Sequence, residues 1–298
     1  MSEATPILVL DGPMGTELDR RGVPTPLPLW SAGANASAPE VVEAIHRDYA
    51  HAGATLHTAN TFRTKRRTVG ERWRELARLA MRHARAAAPP GHRVLGSIAP
   101  LEDCYRPDRS PAEVDPEATR REHAELARAL VEDGADVLLI ETFPHAGEAL
   151  IALDVALATG TPSWLSLTPG PDGSLMAPAA LAEIAGEAAR RGAGAILVNC
   201  VASERARAYV EALADVAARV GVPFGVYANA GHVDDEVGWR ALDEDPSRAA
   251  DRYASSARRW IASGATIVGS CCGTGVPHIR ALAELARERG GRVDQGPS

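Results

Sequence analysis

Short apolar runs alternate with longer stretches in which alanine and leucine recur at helical spacing, from one end of the chain to the other. Continuous apolar runs suit strands covered on both faces, as in a parallel sheet flanked by helices. The pattern predicts strands over 7–10, 55–58, 94–98, 137–140, 163–167, 195–199, 224–227 and 266–269. Between them it predicts helices over 39–52, 71–88, 116–133, 147–158, 178–191, 203–220 and 247–263. Punctuation supports these bounds. Pro39 opens one helix, and Gly53, Gly134, Gly192, Gly221 and Gly264 each precede an Ala or Val that leads into the next strand. Proline suits a first helical turn and glycine suits the residue after the last.

Eight β/α repeats predict an α/β fold, a single (β/α)8 TIM barrel over 1–298 with a frayed tail from about residue 290. A doubly wound open sheet is the competing arrangement. In a barrel of this kind the active site forms where the strands end. Asp11, Asn60, Glu141, Asn199, Cys200, Tyr227, Asn229, Cys271 and Cys272 all fall at predicted strand ends. Loops 24–38, 100–111 and 230–245, rich in glycine, proline and polar residues, are expected to wall a pocket there.

Composition narrows the function. With 45% hydrophobic and 24% charged residues among 298 and a net charge of -7, the chain has the balance of a globular protein and no basic footprint for nucleic acid. No run reaches the roughly 18 apolar residues of a membrane helix. The first residues lack a secretory pattern, so a cytoplasmic location is expected. Four cysteines in a chain of this length do not read as a disulfide framework; metal binding or catalysis is the more usual role.

Three of those cysteines stand where a strand stops: Cys200 after 195–199, and the pair Cys271-Cys272 inside Gly269-Ser270-Cys271-Cys272-Gly273-Thr274. Such a trio suits Zn²⁺ with a fourth position left for substrate. Adjacent strand residues point to opposite faces, so Cys271 and Cys272 can share one ion only if the chain bends between Gly269 and Gly273. A substrate thiol in the vacant position would lose its proton and become a nucleophile. The residues alone leave two alternatives open, buried cysteines acting as small hydrophobes and a strained vicinal disulfide. Cys104, in a loop near prolines, reads as a bystander.

These features together resemble the homocysteine S-methyltransferase family, zinc enzymes on a (β/α)8 barrel. The motifs are Asp11-Gly12-Pro13-Met14-Gly15-Thr16-Glu17-Leu18, Leu29-Trp30-Ser31-Ala32, His46-Arg47-Asp48-Tyr49, Asn60-Thr61-Phe62, Glu141-Thr142, Asn199-Cys200 and the Cys271-Cys272 segment. The resemblance implies that Cys200, Cys271 and Cys272 bind zinc and that Asp11, Gly12 and Glu141 hold the amino-acid end of homocysteine. Asn199 is expected to orient a zinc ligand. Trp30 and Phe62 are expected at the donor side, where Trp30 can stack on a methylated cation. His57, His145, His232 and His278 are read as ordinary polar or core residues.

Three departures stand out. Ser270 replaces a usual glycine, Arg63 follows Phe62 where the betaine-using branch has tyrosine, and Ala228 replaces proline in Tyr227-Ala228-Asn229. The expectation is methyl transfer from a sulfonium or ammonium donor, preferably S-methylmethionine, to homocysteine, forming methionine. A homologous enzyme acting on another thiol or donor and a non-catalytic zinc- or thiol-binding barrel are the alternatives. Homo-oligomerisation and a separate corrinoid protein as partner are left open.

Overall fold

The computed structural model describes residues 5–230, 232–234, 238–240 and 245–289. Eight parallel strands form the barrel: β1 (Leu8–Val9), β2 (Leu56–Ala59), β3 (Arg93–Ile98), β4 (Val137–Phe143), β5 (Ser163–Leu167), β6 (Ala195–Ala202), β7 (Phe224–Asn229) and β10 (Ile267–Ser270). The intervening β8 (His232–Asp234) and β9 (Gly238–Arg240) pair with each other, antiparallel, in a separate two-stranded sheet. The barrel strands follow the order β1-β10-β7-β6-β5-β4-β3-β2. A parallel bridge between Leu10 and Leu56 joins the two ends of that order. The sheet therefore closes, which rules out the open doubly wound alternative.

The predicted helices all form and end close to their stop glycines, although the one expected over 203–220 begins only at Arg207. Helix Pro39–Ala52 starts on its proline and helix Pro178–Arg191 does the same. The five stop glycines all take positive φ, a conformation that costs glycine little. Four helices escaped the pattern, Met14–Arg20, Val276–Glu288 and the single turns Ala34–Ser37 and Arg66–Val69. The tail from 290 and half of loop 230–245 lie outside the described residues.

Period-two alternation decides what the barrel encloses. Leu10, Leu56, Leu95, Val137, Leu139, Trp164, Ala195, Leu197, Tyr227 and Ile267 form an interior cluster separate from the sheet–helix core. One step further along the same inward-facing positions, the side chains turn polar: Ser97 after Leu95, Glu141 after Leu139, Ser166 after Trp164 and Asn199 after Leu197. The barrel thus has an apolar floor and a polar upper tier at the ends of its strands. That tier is the bottom of a cavity.

Candidate active site

The cavity, about 360 Å³, is lined by Asp11, Gly12, Trp30, Phe62, Glu141, Cys200, Cys271 and Cys272, among other side chains. Loops 24–38 and 100–111 wall it through Thr25, Leu27, Trp30, Asp103, Cys104 and Tyr105, as expected. Cys104 is therefore no bystander in position, although it lies outside the sulfur trio.

The three strand-end sulfurs meet. Cys200 Sγ lies 2.8 Å from Cys271 Sγ, and Cys271 Sγ lies 4.0 Å from Cys272 Sγ. Zinc–sulfur bonds of about 2.3 Å in a tetrahedron space the sulfurs roughly 3.8 Å apart, so the trio fits such an ion once the shorter contact opens. Burial and crowding oppose three bare thiolates. Bonds to Cys200 and Cys272 hold the Cys271 proton well above the ordinary thiol range, whereas Cys272 accepts from both neighbours and is pulled well below it. A donor set of this kind is completed by a cation.

Two backbone irregularities bring these groups together. The pairing of β6 with β7 shifts register between Asn199 and Ala202, and Cys200 has φ 53°. The pairing of β4 with β5 shifts between Ile140 and Phe143, and Thr142 has φ 63°. Bulges re-aim side chains, and positive φ at a β-branched residue is a strained exception. Here they let Asn199 sit buried in the polar tier while its neighbour Cys200 lines the cavity beside it, an adjacency of inward side chains that a regular strand forbids. Asn199 ties the two bulges. Its Oδ1 accepts from Thr142 N at 3.2 Å and Ser166 Oγ at 2.8 Å, while Nδ2 donates to Thr142 Oγ1 at 2.8 Å and Cys200 Sγ at 3.2 Å.

At Cys271-Cys272 the strand has ended. Gly273, at φ 77°, makes the turn. Gly269 serves differently from the expectation that it permits the bend: it lies within β10, and a Cβ there would sit 2.7 Å from Leu10 Cβ. Ser270, the departure from glycine, accepts a hydrogen bond at 2.8 Å from Thr274 Oγ1, which also donates to Cys271 O at 2.7 Å. The serine thus braces the turn.

Two carboxylates face the cavity beside the sulfurs. Glu141 accepts from Ser97 Oγ and, at 3.0 Å, from Tyr227 OH. Burial pushes its pKa up to about 7, with the charge of Asp11 adding to the rise. Asp11 accepts from Thr58 N at 2.9 Å, and burial raises its pKa as well. Two desolvated carboxylates offer an ammonium charge-assisted hydrogen bonds. Gly12 lies against the Tyr49 ring, since a Cβ there would stand 2.6 Å from it. Trp30 and Phe62 make an edge-to-face pair, centroids 6.2 Å apart.

Asp11 also belongs to a group that sequence reasoning missed. Asp11, His46 and His57 place ligand atoms within 4.8 Å of one another, a second set of donors able to hold a metal ion. His46 Nδ1 lies 3.7 Å from Asp11 Oδ2. His57 Nε2 meets His92 Nδ1 at 2.9 Å, and burial drops the His57 pKa to about 3. His46 lay in a quoted motif, but only the packing of helix Pro39–Ala52 shows where it points. His145 and His278 serve locally, each ring accepting a backbone N–H at a helix start. The side chain of His232 falls outside the described residues.

Comparison with known proteins gives a consistent outcome. The family profile for homocysteine S-methyltransferase matches residues 8–286. A homocysteine S-methyltransferase of Escherichia coli (strain K12) is 30% identical, covering 93% of this chain and 94% of its own. Homocysteine S-methyltransferase 4 of Zea mays is 29% identical, with 96% and 91% covered. Among solved structures, the metallated form of the homocysteine methyltransferase MmuM from Escherichia coli superposes with a TM-score of 0.78 at 26% identity, covering 94% of this chain and 96% of that one. That relative's metallated form agrees with a donor set built for a metal.

Proposed function

The chain belongs to the homocysteine S-methyltransferase family, and from that premise we propose that it methylates the thiol of homocysteine to give methionine, with S-methylmethionine as donor. We further assign Cys200, Cys271 and Cys272 as ligands of Zn²⁺. The observation that carries this reading is the meeting of three thiols from β6 and the end of β10 inside a cavity that also holds Asp11 and Glu141. When bound, zinc would lower the pKa of a substrate thiol and keep the sulfur anionic and nucleophilic.

The chain's own residues do the rest. Asp11 and Glu141 receive the homocysteine ammonium and fix the direction of its side chain. The backbone at Gly12 is the seat of its carboxylate. Asn199 holds Cys200 in its turned-in position through the 3.2 Å contact to its sulfur. Trp30 and Phe62 form the aromatic wall on which a sulfonium methyl group rests. Held this way, the acceptor sulfur attacks the methyl carbon in line while the donor's own sulfur leaves as a thioether, and no proton transfer to the leaving group is needed. Positioning of two bound reactants supplies the rate. The departure Arg63, where the betaine-using branch carries tyrosine, removes that branch's donor-pocket residue and so weakens a betaine assignment.

The test is turnover of homocysteine by zinc-loaded protein with S-methylmethionine, betaine and methylated folate in parallel. Methionine formed fastest from S-methylmethionine is the expected result. Stoichiometric zinc with no methionine from any donor would leave a binding protein instead.

A further inference from the structure

Arg63 lines the cavity beside Phe62, together with Asp103, Cys104 and Tyr105. Its Nε is buried and has no hydrogen-bond partner, and no ion pair to the side chain exists among the described residues. A guanidinium stays charged and offers a planar fork of donors. Leaving it half-buried without an acceptor is costly, so the arrangement is an anion seat awaiting its anion. The neighbouring cation does not compete, because Lys65 Nζ already donates to Pro100 O and lies 6.0 Å over the Phe62 ring. The cavity is thus bipolar. Asp11, Glu141 and Asp103 bring carboxylates to its lining, and Arg63, which follows Phe62 in the chain, brings a guanidinium without an ion pair among the described residues.

We propose that Arg63 receives the carboxylate of the methyl donor, which restricts the donors to sulfonium or ammonium compounds that also bear an acid. The proposal rests on the homocysteine methyltransferase reading. Methyl transfer itself is unchanged: the acceptor sulfur–carbon bond forms as the donor sulfur–carbon bond breaks, and the leaving electron pair stays on the donor sulfur.

The test uses two donors with the same reacting centre, dimethylsulfoniopropionate and the dimethylpropylsulfonium ion, each with homocysteine and zinc-loaded enzyme. Wild-type protein is expected to prefer the acid-bearing donor. In Arg63→Ala that preference should shrink about 10–100-fold, the worth of a charge-assisted hydrogen bond, and the change should lie in the donor KM. Arg63→Lys should recover part of it. An unaltered preference in Arg63→Ala, or a rise in the homocysteine KM in place of the donor KM, overturns the assignment. If the wild type methylates homocysteine from neither compound and not from S-methylmethionine either, the proposed methyl transfer fails. Calorimetric titration of both sulfonium compounds, with homocysteine present, then decides Arg63 alone: tighter binding of the acid, lost in Arg63→Ala, supports it, and equal affinity sinks it.

Discussion

Glu141→Gln should make the protein more stable and less active, and the size of the first effect follows from the site. The folded carboxyl has its pKa raised to about 7 from an ordinary 4.5. For an acid raised in this way the folded state holds the proton more tightly than the unfolded state. Stability is therefore undiminished below pH 4.5 and is lost as pH rises toward 7. At about 1.4 kcal/mol per pH unit, the full penalty above pH 7 is about 3 kcal/mol. Glutamine removes the charge at nearly constant shape, and the hydroxyls of Ser97 and Tyr227 can each turn to donate or accept. The variant should gain up to about 3 kcal/mol at pH 8 and less than about 1 kcal/mol at pH 5. For a chain of this length that is a rise in Tm on the order of 5 °C at the higher pH.

Thermal unfolding of wild type and variant at both pH values, with chelator throughout so that metal loss does not enter, reads the difference directly. Homocysteine turnover at pH 8 should fall about 100-fold through loss of the ammonium's partner. A variant less stable than wild type at pH 8, or shifted equally at both pH values, refutes the account of a carboxylate whose burial outweighs its hydrogen bonds from Ser97 and Tyr227.

Three further outcomes are expected. Cys272→Ala should lose stoichiometric zinc and all turnover while keeping the circular dichroism of the barrel; retained metal with activity would remove Cys272 from the ligand set. Asn199→Ala strands the Thr142 N–H and the Ser166 hydroxyl and frees the Cys200 sulfur, so zinc affinity measured by chelator competition should drop about 10–100-fold, and an unchanged affinity would reduce Asn199 to a strand-end amide. Gly12→Ala drives a methyl group to 2.6 Å from the buried Tyr49 ring, which should cost about 1–3 kcal/mol in denaturant unfolding and raise the homocysteine KM; Tyr49 OH donates to Pro13 O at 3.0 Å, so the same loop feels the shift, and wild-type values for both would contradict that packing.

Much of this was legible from residue order because the barrel is built from local signals. Apolar runs marked every barrel strand, and five glycines marked helix ends. Asp11, Glu141, Cys200 and the Cys271-Cys272 pair were legible as strand-end residues because the barrel gathers those ends in one place. What escaped depends on contacts between distant segments. The shifts at Thr142 and Cys200 arise from pairing with neighbouring strands, and no run of residues announces a register slip. Ser97 read as one more strand residue until Glu141 was found beside it. His46 looked like a polar residue in a helix until that helix was packed behind Asp11. Helix Val276–Glu288 could have been found, since Pro277 after Gly275 is an ordinary start signal. Arg63 read only as a departure from a pattern, and its missing partner is a fact of three dimensions.

The clasp that Asn199 makes between two kinked strands sets a rule for anyone wishing to move this chemistry elsewhere. Copying three cysteines onto the rim of another barrel would leave one sulfur facing the wrong way. The extra residue in each strand, and the amide that locks one against the other, must travel with them as a unit.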